Sequence, residues 1–108
     1  MQLKIAIQLI RKSNEGLSPN PDATMCYKTD SDFIPRIGDK ISLQDVCYLN
    51  DNDLCGTVEE VKLLYSPIAD TTAYVYAGQI CVSDAEMSTL ERNSGAAMWS
   101  FNYTYANG

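Results

Sequence analysis

The chain contains no histidine, so any metal site would have to be built from thiolates and carboxylates alone. It also lacks a Gly-x-Ser-x-Gly elbow and a phosphate-cradling glycine loop. The usual nucleophile and acid–base constellations are therefore missing, and the expectation is a protein that is not an enzyme. Cations are scarce: eight Lys and Arg stand against fourteen Asp and Glu, a net charge of -6. No apolar run approaches the ~20 residues needed to cross a bilayer. The opening Met1 to Ile10 is too short and too polar for a secretory signal core, and no small-residue cleavage site follows, so the expected location is cytoplasmic. No repeat, low-complexity tract or linker divides the 108 residues, which are expected to form a single domain, 1–108.

What is present is a local excess of acid. Residues 30–60 hold eight carboxylates (Asp30, Asp32, Asp39, Asp45, Asp51, Asp53, Glu59, Glu60) and two bases, Arg36 and Lys40, while the rest of the chain has six of each. Such a segment disfavours direct contact with a phosphate backbone and matches a protein with a basic surface. Asp45, Asp51, Asp53, Glu59 and Glu60 are the partner-binding candidates on this reading. Arg36, alone in an apolar stretch, is expected to pair with Asp39 or a neighbour.

Four cysteines, Cys26, Cys47, Cys55 and Cys81, include no CxxC pair and have apolar or aromatic neighbours. Buried free thiols are the expectation, with two disulfides or an atypical four-thiolate zinc site as alternatives; no cofactor and no metal are expected. Asp51-Asn52-Asp53-Leu54-Cys55-Gly56 imitates the start of a calcium loop, but Cys55 at position 5 and Lys62 at position 12 spoil the ligand set, leaving a polar turn. Glu59 and Glu60 are adjacent in a strand pattern, so they point to opposite faces and cannot act on one substrate as acid and base.

Periodicity organises the rest. Leu3, Ile5, Ile7 and Leu9 alternate with polar residues, a half-buried strand over 2–11. Turn formers crowd residues 13–24, and a short strand is expected at 25–28. Further strands are expected through Ile41 and Leu43, over Thr57 to Tyr65 with a bulge near Glu59-Glu60, and over Ala73 to Val82, weakened by Gly78. Ser83-Asp84-Ala85-Glu86 is a capping box opening one short helix near residues 84–92. Trp99, Phe101, Tyr103 and Tyr105 then share one face of a terminal strand. That face either closes the core or serves as an aromatic interface, and a terminal edge strand admits a homodimer. The expected fold class is mainly β: a small antiparallel barrel or sandwich, SH3-like, of five to six strands with one helix.

The stretch IPRIGDKISL (residues 34–43), followed by GTVEEVKLLY (56–65), resembles small phage and mobile-element β proteins in which a Pro-Arg-x-Gly-Asp turn leads into a strand. It is also similar to the opening hairpin of SH3-like barrels. The resemblance covers about a third of the chain and brings no catalytic residues. It implies a fold and a phage or mobile-element setting; joined to the acidic segment, which by itself points to a small acidic protein-interaction module, that setting implies an inhibitor of a host antiviral-defence factor or, as the alternative, a structural or accessory homodimeric subunit of phage or mobile-element machinery.

Overall fold

The computed structural model describes residues 1–14, 20–47 and 54–104. Its centre is β1 (Gln2–Arg11), whose residues at odd positions from Leu3 to Leu9 are all buried. Alternation at period two puts these four side chains on one face, which is why the segment is a strand with one dry side. β1 pairs antiparallel with β2 (Ala23–Asp30), which pairs antiparallel with β7 (Trp99–Tyr103). On its other side β1 pairs in parallel with β6 (Thr72–Val82), and β5 (Glu60–Leu64) closes that side antiparallel to β6. The order β5-β6-β1-β2-β7 makes a five-stranded mixed sheet with β5 and β7 at its two edges.

Mainly β with one short helix is thus the architecture. Two details differ from expectation. There are seven strands among the described residues, and they form no closed barrel. The β1–β6 pair is parallel, so the sheet is not purely antiparallel. Local alternation marks a strand but carries no information about its neighbour, and the first strand finds its partner some seventy residues on.

A second layer covers one face. β3 (Lys40–Ser42) and β4 (Cys55–Thr57) form a two-stranded sheet, with Ile41 opposite Gly56. Leu43, Val46, Cys47 and Val58 from this layer join Ile5, Ile7, Met25, Val75 and Ala77 of the large sheet in the core. Helix α1 (Asp84–Asn93) completes the cover with Met87 and Leu90, both fully buried. Its capping box forms as the sequence implies: the Glu86 amide donates to the Ser83 hydroxyl at 3.1 Å, and the Ser83 amide to the Glu86 carboxylate at 2.8 Å. Arg11 ties the end of β1 to the first turn of α1 through Asp84, at 2.7 Å.

The bulge lies elsewhere than expected. The run Thr57 to Tyr65 is not one bulged strand. It breaks at Val58 and Glu59, where the chain leaves the small sheet and enters the large one. Val58 carries both ends of that junction, donating its amide to Asp39 and accepting from Gly38. The irregularity falls in β6 instead: Ala6 pairs with Tyr76 but Gln8 with Gln79, leaving one extra residue in β6 at Ala77-Gly78. Gly78 takes a left-handed φ of 74°, which is open to glycine at little cost.

One buried carboxylate that sequence reading passed over holds a corner together. Asp22 accepts the Arg11 amide at 2.8 Å, and its own backbone bonds Leu9 and Thr104, so the ends of β1, β2 and β7 meet there.

Candidate interaction surfaces

The acidic candidates do not gather into one described patch. Asp45 is exposed in the turn after β3, within the covering layer, next to the buried Val46. Glu59 is exposed at the junction between the sheets, its carboxylate beside Gly78. Glu60 lies on β5, opposite Tyr76, on the sheet face that the covering layer does not touch. Asp51 and Asp53, and with them the first half of the calcium-like turn, lie outside the described residues. Among the described residues Arg36 forms no ion pair, with Asp39 or with a neighbour. Its backbone amide donates to the Asp39 carboxylate at 2.8 Å, closing the turn, while its side chain extends into solvent. A carboxylate can cap a turn through the amide without engaging the guanidinium.

The aromatic strand is half core and half surface. Trp99 and Phe101 are half-buried against the core, Trp99 at 5.2 Å from the Tyr27 ring. Tyr103 is exposed and meets Phe101 edge-on at 5.1 Å; Tyr105 lies outside the described residues. All three described rings lie on the covered face, at the margin where β7 ends the sheet.

The opposite edge is more apolar than sequence reading anticipated. Along and beyond β5, Leu63, Leu64, Tyr65 and Ile68 are exposed, Ile68 at 96%. Phe33 and Ile37 are exposed too, and Ile34, Pro35, Arg36, Ile37, Val61 and Leu63 line a shallow groove of ≈ 420 Å³. An edge strand with apolar side chains exposes unpaired amides and carbonyls that invite a further strand.

The uncovered face of the sheet carries a wider cavity of ≈ 490 Å³. Lys4, Lys28, Lys62, Tyr74 and Tyr76, with Glu60 at one side, rise around a floor that includes Ala6 and Cys26. The Lys4 ammonium sits 5.2 Å from the Tyr74 ring centroid, within cation–π range. Tyr76 donates to the Gln8 side chain at 2.9 Å. Burial, and secondarily the charge of Glu59, pushes the Tyr76 phenol above its ordinary value near 10. Each lysine stands at a polar position of a strand pattern, and only the register of four strands brings them together.

Among the described residues no group of three or more Cys, Asp or Glu side chains is arranged to hold a metal ion, and no helix is long and apolar enough to cross a membrane. No disulfide joins the four cysteines: Cys47 lies in the core, and Cys26, Cys55 and Cys81 are half-buried. Comparisons with protein-family models, with curated proteins and with solved structures return no match.

Proposed function

We propose that this domain acts by binding another protein, pairing a β-strand of its partner with the free edge of β5. The observation that carries the reading is the apolar surface along that edge, Val61 and Leu63 with Ile34 and Ile37 beside them, on a strand that has no neighbour on its outer side among the described residues. Strand addition of this kind takes affinity from main-chain hydrogen bonds and specificity from pockets for alternate side chains. The groove supplies such a pocket. Asp39, Glu59 and Glu60 are exposed around the same edge, which favours an apolar strand flanked by basic residues. Inhibition of a host factor, as the mobile-element resemblance implies, is the concrete form this binding takes.

A second copy of the chain is the alternative partner. Two β5 strands set antiparallel about Val61 place Glu60 opposite Lys62 in both directions, so the edge is self-complementary in charge.

The test compares wild type with Leu63→Lys and with the pair Glu59→Lys and Glu60→Lys. A protein captured from lysate by wild type should be lost with Leu63→Lys and weakened by the charge reversals, increasingly so at low salt. Capture that survives Leu63→Lys moves the interface away from β5. Sedimentation equilibrium separates the two occupants: a dimer abolished by Leu63→Lys favours the second copy.

A further inference from the structure

We propose that the uncovered face of the large sheet is a binding site for a compact anion carried on an aromatic body, of the nucleoside diphosphate class. This site is separate from the β5 edge and does not depend on that reading.

The argument begins with charge. Lys62 stands opposite Tyr74, Tyr74 beside Lys4, and Lys4 opposite Lys28, so one row across four adjacent strands reads Lys-Tyr-Lys-Lys. Three of the chain's eight cations thus converge in a protein of net charge -6. None of the three is ion-paired with a described carboxylate. Like charges directly opposite on neighbouring strands destabilise a sheet, and a solvated face is normally built with mixed signs. An anion seated between Lys4 and Lys28 removes that repulsion. Adjacent strands lie about 4.8 Å apart, so both ammonium groups can reach one phosphoryl group.

The cavity selects the body attached to that anion. Its floor is apolar, with Ala6 and Cys26, and the Tyr74 ring beside it is 39% exposed. A planar ring can lie on this floor against Tyr74 while its phosphates meet the lysines. The volume of ≈ 490 Å³ falls in the ordinary range for small-ligand sites.

The surroundings also limit the anion's size. Glu60 lies two residues along β5 from Lys62 on the same face, and Asp30 two residues along β2 from Lys28. The positive row is therefore one residue deep, with carboxylates flanking it in the strand direction. Glu60 itself lines the cavity, and two residues of strand span only about 6.6 Å, inside the screening length of about 8 Å, so the anion must be compact and seated between Lys4 and Lys28, away from Glu60.

The experiment is equilibrium dialysis and amide-shift mapping with ADP as probe, alongside pyrophosphate and an oligothymidylate. ADP should shift the amides of Lys4, Cys26, Lys28, Lys62 and Tyr74, and bind more tightly than pyrophosphate. Lys4→Gln with Lys28→Gln should weaken ADP by about tenfold or more, as expected for loss of charge-assisted contacts to phosphate. Tyr74→Leu should remove the preference for ADP over pyrophosphate. Lys28→Gln alone alters an exposed side chain and serves if the double variant does not fold. Leu63→Lys should bind ADP as wild type does, which keeps this test distinct from that of the β5 edge. Absence of ADP binding, or binding indifferent to the lysine substitutions, overturns the proposal. Tighter binding of the oligothymidylate at the same amides also overturns it, in favour of a single-strand site.

Discussion

Gly56 of β4 packs against the carbonyl oxygen of Ala77 in β6 with no room for a side chain between them. Glycine at this point lets the small sheet approach the large one at the very residue pair where β6 bulges. The approach brings Val58 into the core and delivers Glu59 to Gly78, so the site where the chain changes sheets is set by backbone contact.

Gly56→Ala should therefore lower stability by about 1–3 kcal/mol, the usual cost of overpacking a close contact. Gly95 is the control, because a Cβ there meets nothing within 4 Å. Urea unfolding should show a lower midpoint for Gly56→Ala at unchanged slope, and none for Gly95→Ala. Equal midpoints for the two variants would falsify the close packing of β4 on β6.

Tyr76 predicts a pH dependence with a definite sign. Its phenol titrates above the unfolded value near 10, first because of burial and then because of Glu59. Between the two values the folded state holds more protons than the unfolded one. The contribution to stability is thus full below pH 10 and is lost as pH rises through the folded value. Tyr76→Phe should flatten the fall in stability above pH 10 and remove a phenol that titrates above the ordinary value from an ultraviolet difference titration. A Tyr76→Phe titration curve that merely loses one ordinary phenol would contradict the burial.

The aromatic strand should contribute less than a fully buried one. Complete burial of a large aromatic makes its replacement by Ala cost ~3–5 kcal/mol. Trp99 and Phe101 are only half-buried at the sheet margin, so Trp99→Ala and Phe101→Ala should each cost about 1.5–3 kcal/mol. Trp99 emission should fall between that of a buried indole and a solvated one. Fully solvated emission, with unchanged unfolding midpoints, would detach β7 from the core.

Thiol chemistry should sort the cysteines by position. Cys47 is 4% exposed, whereas Cys26, Cys55 and Cys81 are half-buried. A thiol reagent should modify those three in the native protein well before Cys47, and all four after denaturation. An intact mass lower by two or four hydrogens before reduction would show disulfides instead.

Much of the local structure was legible in the residues themselves. The alternation of Leu3, Ile5, Ile7 and Leu9 specified a half-buried strand, and Ser83 with Glu86 specified where a helix starts. The alternation of Trp99, Phe101 and Tyr103 specified the last strand and the face its rings share. These signals survive in the sequence because they depend on spacings of two to four residues, set by strand pleat and helix pitch. The candidate surfaces were less legible. The acidic segment was visible as composition, yet Asp45 and Glu60 fall on opposite sides of the large sheet. The lysine row was invisible, since Lys4, Lys28 and Lys62 are far apart in the chain and each looks like an ordinary solvated position.

Tertiary structure alone decided that β1 lies parallel to β6, that the chain changes sheets at Val58 and Glu59, and that the bulge falls at Ala77-Gly78. Strand pairing and register are chosen by whole faces packing at once: the apolar positions of one strand must meet those of another at matching phase, and many pairings satisfy a pattern of period two. Gly56, with no side chain, then lets the small sheet pack closely on Ala77 of β6. Once that register is set, Lys62, Tyr74, Lys4 and Lys28 fall into one row, an arrangement that long-range packing imposes and that no local spacing encodes.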